Sequence, residues 1–176
     1  MEISRREFVT AAVSATAVAA VPAAAMSDEP APAKKGEPVT TTLTPYLLFD
    51  GTCHSAMEFY KSCLGGELTV LKVKDSPVKE HMPAAQQEKV LNAHLKSRGV
   101  EISASDWLMP NRTPQPGNTV CMYLSGGTFQ ELKALFDRLS DGAQVTDPLK
   151  ELFFGTYGAL NDKFGVRWMF QTNSKG

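Results

Sequence analysis

The chain runs twice through one order of patterns, and that repetition limits its possible folds more than any single motif does. In the first half, an apolar run from Thr42 to Phe49 ends at Asp50-Gly51. It reads as a strand, and Pro45 suits a sheet edge, where a missing N–H is tolerated. Cys53, Ala56, Met57, Tyr60, Cys63 and Leu64 follow at helical spacing as one apolar stripe, with Glu58, Lys61 and Ser62 turned away. Gly65-Gly66 stops that helix, and Glu67 to Lys74 alternates as a second strand. After a segment expected to be mobile, Asp75 to Lys89, come strands at Val90 to Ser97 and Val100 to Ser105, joined tightly at Arg98-Gly99.

The second half repeats this. Asn118 to Leu124 is a strand, and Gly126-Gly127 leads to Thr128 with Glu131 three residues on, the pattern of a capping box. Phe129, Leu132, Leu135, Phe136 and Leu139 form the buried face of a helix ended by Asp141-Gly142. Short strands are expected at Ala143 to Pro148, Phe154 to Asn161 and Val166 to Gln171. Each half is therefore strand, helix, three strands. Such a doubled α+β unit is expected to curve two half-sheets around a shared cleft, because neither sheet buries its apolar face alone.

The N-terminus obeys different physics. Ser4-Arg5-Arg6 precedes Phe8 and Val9 and then an Ala- and Val-rich run to Val21, with Pro22 and Ala23 to Ala25 at its exit. This is a basic region, a short apolar region and a small-residue cleavage site. The apolar run is too short and weakly hydrophobic for a bilayer span, which takes about twenty residues, and no Cys stands nearby for a lipid anchor. The order Ser-Arg-Arg-x-Phe-Val resembles the bacterial twin-arginine motif, which implies a translocon as transient partner, a periplasmic or secreted destination and no stable membrane anchor. Residues 1–26 are thus expected to be a signal peptide. Residues 27–41, rich in Pro and charge with little to bury, read as a disordered tether. The 42–172 stretch suits one domain with a real core.

Charge and cysteines exclude more than they indicate. A formal net charge of -1 gives no electrostatic reason to expect nucleic acid as partner. Three cysteines make no disulfide framework. Cys53 and Cys63 stand near opposite ends of one helix, about 15 Å apart and beyond disulfide reach; a bridge to Cys121 stays open.

The stretch Pro45-Tyr46-Leu47-Leu48-Phe49-Asp50-Gly51, with Ala56, Glu58-Phe59-Tyr60-Lys61 and Gly65-Gly66, resembles the opening of the PhnB-like branch of the glyoxalase, bleomycin-resistance and extradiol-dioxygenase superfamily. Phe153-Phe154-Gly155, Tyr157-Gly158, Asn161-Asp162-Lys163-Phe164-Gly165 and Trp168 are similar to its closing strands. The resemblance implies the glyoxalase/bleomycin-resistance-like fold, a cleft for a small organic molecule and a homodimer. In the superfamily's metal enzymes, four cleft-facing positions carry His, Glu or Gln. Carried over, they fall at Pro45 or Thr44, within Val100 to Ser105 where Glu101 is the good donor, near Thr119 beside Asn118, and at Met169. One carboxylate does not assemble a hard-cation site, so neither metal nor other cofactor is expected.

Candidate site residues follow from the strand faces. His94 shares a face with Asn92 and Lys96, opposite Leu91, Ala93 and Leu95. His94 and Glu101 are the candidate acid/base groups, with Asn92, His94, Ser103, Ser105 and Asp106 as polar anchors. Trp107, in an aromatic and thioether-rich turn before Pro110-Asn111-Arg112, is an expected apolar wall, as are Phe154, Tyr157 and Trp168. No histidine is tied by spacing to a nucleophile. The expectation is a non-metal binding domain for a small apolar or partly aromatic molecule. A lyase, isomerase or dioxygenase with atypical ligands, and a structural protein with a filled cleft, stand as alternatives.

Overall fold

A computed structural model of the chain describes residues 42–109, 113–115 and 117–176. The signal peptide and tether expected at 1–41, and the Pro110-Asn111-Arg112 turn, lie outside the described residues.

The elements follow the repeated order. The first module is β1 (Tyr46–Phe49), α1 (Cys53–Leu64), β2 (Glu67–Lys72), β3 (Val90–Ser97) and β4 (Val100–Asp106). The second is β5 (Met122–Ser125), α2 (Phe129–Leu139), β6 (Gln144–Leu152), β7 (Gly155–Asn161) and β8 (Arg167–Thr172). Each builds a four-stranded mixed sheet of the same topology, β1-β4-β3-β2 and β5-β8-β7-β6. First and last strands pair in parallel and the others antiparallel.

Strand ends differ from expectation where proline acts. β1 begins at Tyr46 rather than Thr42, and the Pro45 carbonyl accepts from the Ser103 N–H at 3.1 Å. β6 runs through Pro148 to Leu152 instead of stopping at it, because it is an edge strand and absorbs the missing donor with register shifts on either side of Asp147. Gly66 opens β2 with φ 91°, and a Cβ there would stand 2.8 Å from the Ser97 Cα, so no other residue fits.

The segment expected to be mobile is laced in place. It folds into single 3-10 turns at Val73–Asp75, Lys79–His81 and Ala84–Gln86. The Gln87 amide donates to the Lys79 and Met82 carbonyls, each at 2.9 Å, and Lys72 and Lys74 both reach Glu88. Its far end holds the chain after β4: the Gln86 amide donates to the Leu108 carbonyl at 3.0 Å and the Lys89 ammonium to that of Trp107 at 3.1 Å.

The helix stripes bury as their spacing predicts: Cys53, Ala56, Met57, Tyr60 and Cys63 on α1, and Leu132, Phe136 and Leu139 on α2. The capping box at Thr128 and Glu131 forms. Between the helix-bearing faces lies core, and the cleft expected between the half-sheets opens at their edges. One cluster joins α1, Ala93, Leu95, Ile102 and Ala104 to α2, Leu160, Trp168 and Phe170. Tyr60 packs on Trp168 at 5.5 Å between ring centroids and Phe136 on Phe170 at 5.0 Å. The sheets thus meet across their helix-bearing faces. Their other faces, with Tyr46 and Leu48 on one and Tyr123 on the other, stay open.

Two buried aspartates hold this arrangement. The Asp162 carboxylate, in the β7–β8 turn and 5% exposed, accepts from the Tyr60 phenol at 2.7 Å, the Trp168 indole at 2.8 Å and the Phe164 and Val166 N–H groups at 2.9 Å. Burial, then this carboxylate, pushes the Tyr60 phenol far above its ordinary range. Asp106 accepts from the Cys53 N–H at 3.0 Å and the Val90 N–H at 2.8 Å. It serves the α1 N-terminus, to which Thr52 gives no side-chain cap. All three cysteines are free, and burial, then Asp106, pushes the Cys53 thiol up to about 12.

Replacing Asp162 by Ala leaves buried donors from both modules unpartnered. D162A is expected to lose about 3 kcal/mol or more of unfolding free energy, read by urea denaturation. D162N, which keeps one acceptor oxygen, loses less; a D162A variant within about 0.5 kcal/mol of the parent would show that Asp162 does not join the modules.

Candidate functional site

The edges of the two sheets leave a cavity of about 900 Å3 beside the shared core. One wall is β1 from Tyr46 to Phe49, the free edge of its sheet, continued by Trp107. The opposite wall is the chain entering β5, Val120 to Met122, and the floor is the β7–β8 turn from Phe164 to Arg167. Trp107 is set there by its backbone N–H, which donates to the Phe49 carbonyl at 2.7 Å, and by the Lys89 and Gln86 contacts to this loop. Phe164 is held by edge packing on Phe49 at 6.4 Å and on Tyr60 at 6.2 Å. Apolar side chains dominate the lining, and Arg167 brings the one formal charge among its described residues. No acidic side chain pairs with Arg167 among the described ion pairs. The indole N–H of Trp107 is buried and unpartnered among the described residues, as is the side-chain carbonyl of Gln86.

One strand in from this wall lies a polar row. Register sets Tyr46 of β1 beside Ser103 of β4, Ser103 beside His94 of β3, and His94 beside Thr69 of β2. The His94 Nδ1 stands 3.1 Å from the Ser103 hydroxyl and its Nε2 3.3 Å from a Glu101 carboxylate oxygen. The imidazole is 34% exposed and the Glu101 side chain 43%, so the group is open to a solute. Spacing along the chain does not tie His94 to a hydroxyl, and the structure sets it beside that of Ser103. The signal lay in the hairpin: a two-residue Arg98-Gly99 turn puts Ser97 opposite Val100 and therefore His94 opposite Ser103.

The remaining expected residues divide. Asn92 is exposed on the His94 face, opposite Leu71. Ser105 is buried, and Asp106 is committed to the α1 N-terminus. Trp168, expected as a cavity wall, is 1% exposed in the core, because its indole N–H has its acceptor at Asp162. Phe154 and Tyr157 pack on one another at 6.4 Å on the second sheet and do not line the cavity. Tyr46, Phe164 and Arg167 do line it. Sequence reading passes over them because one follows a strand-breaking proline and the others flank a glycine turn.

At the carried-over ligand positions, Pro45 offers only backbone and Thr119 is exposed. The Met169 thioether sulfur lies 3.1 Å from the Cys121 thiol sulfur. Among the described residues, no three His, Cys, Asp or Glu side chains are grouped to hold an ion, and no helix is long and apolar enough to cross a membrane.

Two mixed sheets of identical topology, each carrying one helix, define an α+β protein of the glyoxalase/bleomycin-resistance-like class. The family model described as 3-demethylubiquinone-9 3-methyltransferase matches residues 41–171. Protein YjdN of Escherichia coli K12 is 30% identical over 139 residues, which span 72% of this chain and 92% of YjdN. Among solved structures, protein PA1353 from Pseudomonas aeruginosa is similar with a TM-score of 0.69 and 30% identity, over 78% of this chain and 100% of PA1353. The PhnB protein from Bacillus cereus follows at 0.58 and 25%, over 75% and 99%. The chain belongs to the PhnB-like branch of the vicinal oxygen chelate superfamily.

The two tryptophans stand in contrasting places, which makes the cavity observable. Acrylamide is expected to quench Trp107 emission and to leave Trp168 largely dark to it. W107F should remove most of the accessible fraction; quenching that survives W107F undiminished would mean the cavity is not open at that wall.

Proposed function

We propose that the mature chain is an exported binding protein that holds a small, partly aromatic organic anion in the cavity between β1 and β5, without a metal. The observation that carries this reading is a largely apolar cavity of about 900 Å3 with a single formal charge, Arg167, among its described lining residues. Pockets of this size and character suit small organic ligands. A guanidinium on such a wall with no acidic partner among the described residues favours a carboxylate or sulfonate, which it grips in bidentate fashion. Trp107 and Phe164 supply faces for a ring.

The donor set argues against a resident hard divalent ion. Such an ion needs oxygen and imidazole ligands. The superfamily positions here carry a proline, a threonine and a thioether already in contact with a thiol, and their one carboxylate, Glu101, faces His94. The paired arginines, the apolar run and the small residues at the N-terminus support export. The exposed Tyr123 on the open face of the second sheet supports a second copy of the chain as partner.

Binding is tested with 2-naphthoate and its neutral methyl ester, followed by Trp107 fluorescence on purified protein whose metal content is measured in parallel. Naphthoate is expected to bind metal-free protein, the ester about tenfold more weakly, and R167A to erase that difference. Equal affinity for acid and ester, or about one tightly held divalent ion per chain whose removal abolishes binding, would overturn the reading. For export, replacing Arg5 and Arg6 together by Lys is expected to trap the precursor in the cytoplasm, whereas the parent is recovered from the periplasm as a shortened chain. Light scattering of that material should give the mass of two chains. An unprocessed parent, or a monomer at micromolar concentration, would refute the corresponding point.

A further inference from the structure

The polar row on the open face of the first sheet has a composition that ligand anchoring alone does not require. Ser103, His94 and Glu101 form a continuous chain of contacts: hydroxyl to Nδ1 at 3.1 Å, then Nε2 to carboxylate at 3.3 Å. Glu101 stands 3.3 Å from Nε2; a carboxylate accepts only, so the tautomer that carries its proton on Nε2 faces Glu101 and leaves Nδ1 as the acceptor for the Ser103 O–H. This is the order of a nucleophile, a base and an orienting acid, with the two ring nitrogens exchanged relative to the common serine hydrolase arrangement. Such sets are recognised by geometry and role rather than by sequence position. The hairpin makes it rigid: Ser103 and His94 are direct cross-strand neighbours and Glu101 a diagonal one. On the other flank of Ser103, register sets Tyr46 of β1. Tyr46 also belongs to the cavity wall.

We propose that Ser103 is a nucleophile, activated by His94 and Glu101, that hydrolyses activated esters. For the acyl group, an aromatic acid, the proposal rests on the anion-binding reading of the neighbouring cavity. Ser103 Oγ bonds to the ester carbonyl carbon while its proton passes to His94 Nδ1, and Glu101 holds the resulting imidazolium at Nε2. The carbonyl oxygen becomes the oxyanion of the tetrahedral intermediate. The bond to the leaving oxygen then breaks, and that oxygen takes the proton from Nδ1 and departs as an alcohol or phenol. Water attacks the acyl-serine with His94 as base, the acid is released and Ser103 recovers its proton. The net reaction is ester plus water to acid plus alcohol, and no metal or redox partner enters it.

The test uses the whole mature protein with two probes, a fluorophosphonate and 4-nitrophenyl benzoate. The fluorophosphonate is expected to add to one serine, located by mass spectrometry of the unmutated protein as Ser103, so the result does not depend on whether a variant folds. H94N should slow labelling by about a hundredfold and E101Q by about tenfold, and E101D should recover part of that loss, whereas S55A labels at the parent rate. Benzoate ester turnover should fall in parallel. Absent labelling, labelling at another serine, or a rate unmoved by H94N overturns the proposal. Naphthoate binding without Ser103 labelling sinks the nucleophile and leaves the cavity reading standing; labelling without naphthoate binding does the reverse.

Discussion

The carboxylate of Asp162 is where the two halves of this chain become one structure. It takes hydrogen bonds from Tyr60 of the first module and from Trp168 of the second, along with two N–H groups of its own turn. A buried charge without such partners costs several kcal/mol. The turn between β7 and β8 therefore settles only where a phenol from α1 and an indole from β8 both reach it. That requirement draws the helix-bearing faces together, and the aromatic packing of Tyr60 on Trp168 and Phe164 follows. Asp106 plays a matching part inside the first module, tying β4 to the start of α1 and to β3.

With the helical faces joined, the opposite sheet faces are left uncovered among the described residues, and the His94 group lies on one of them. The cavity exists because β1 and β5 are both edge strands, and Trp107, Thr113 and Gln115 from between β4 and β5 line it. The supposedly mobile segment contributes by holding Trp107 and Leu108 through Lys89 and Gln86. In place of the hard ligands that the superfamily's metal enzymes use, the strand ends offer sulfur, hydroxyl and guanidinium groups. Those groups suit an organic anion better than a divalent ion.

Much of the architecture was legible because it rests on local rules. The two helix stripes, the capping box at Thr128, the stop at Gly65-Gly66 and the repeated order all follow from periodicity and turn chemistry, which the chain carries within a few residues. The site was legible only in part. His94, Ser103 and Glu101 each appear as candidates, yet their union depends on hairpin register, which the Arg98-Gly99 turn encodes one step beyond face alternation. Trp107 was legible as a wall because it follows a strand end. Trp168 looks the same in sequence, and its place in the core is decided by a hydrogen bond to a residue in another turn.

The amino-acid order by itself determined the doubled strand-helix-three-strand module and the apolar face of each helix, because each is a pattern of neighbours along the chain. Only the tertiary structure decided which sheet faces meet, that a cavity opens beside the core instead of at the centre of the doubled sheet, and that Arg167 lies on its wall. The physical reason is that these depend on where buried charges find their donors. Asp162 finds its own across a sequence separation of 102 residues, at Tyr60, and no local pattern reports a partner that distant.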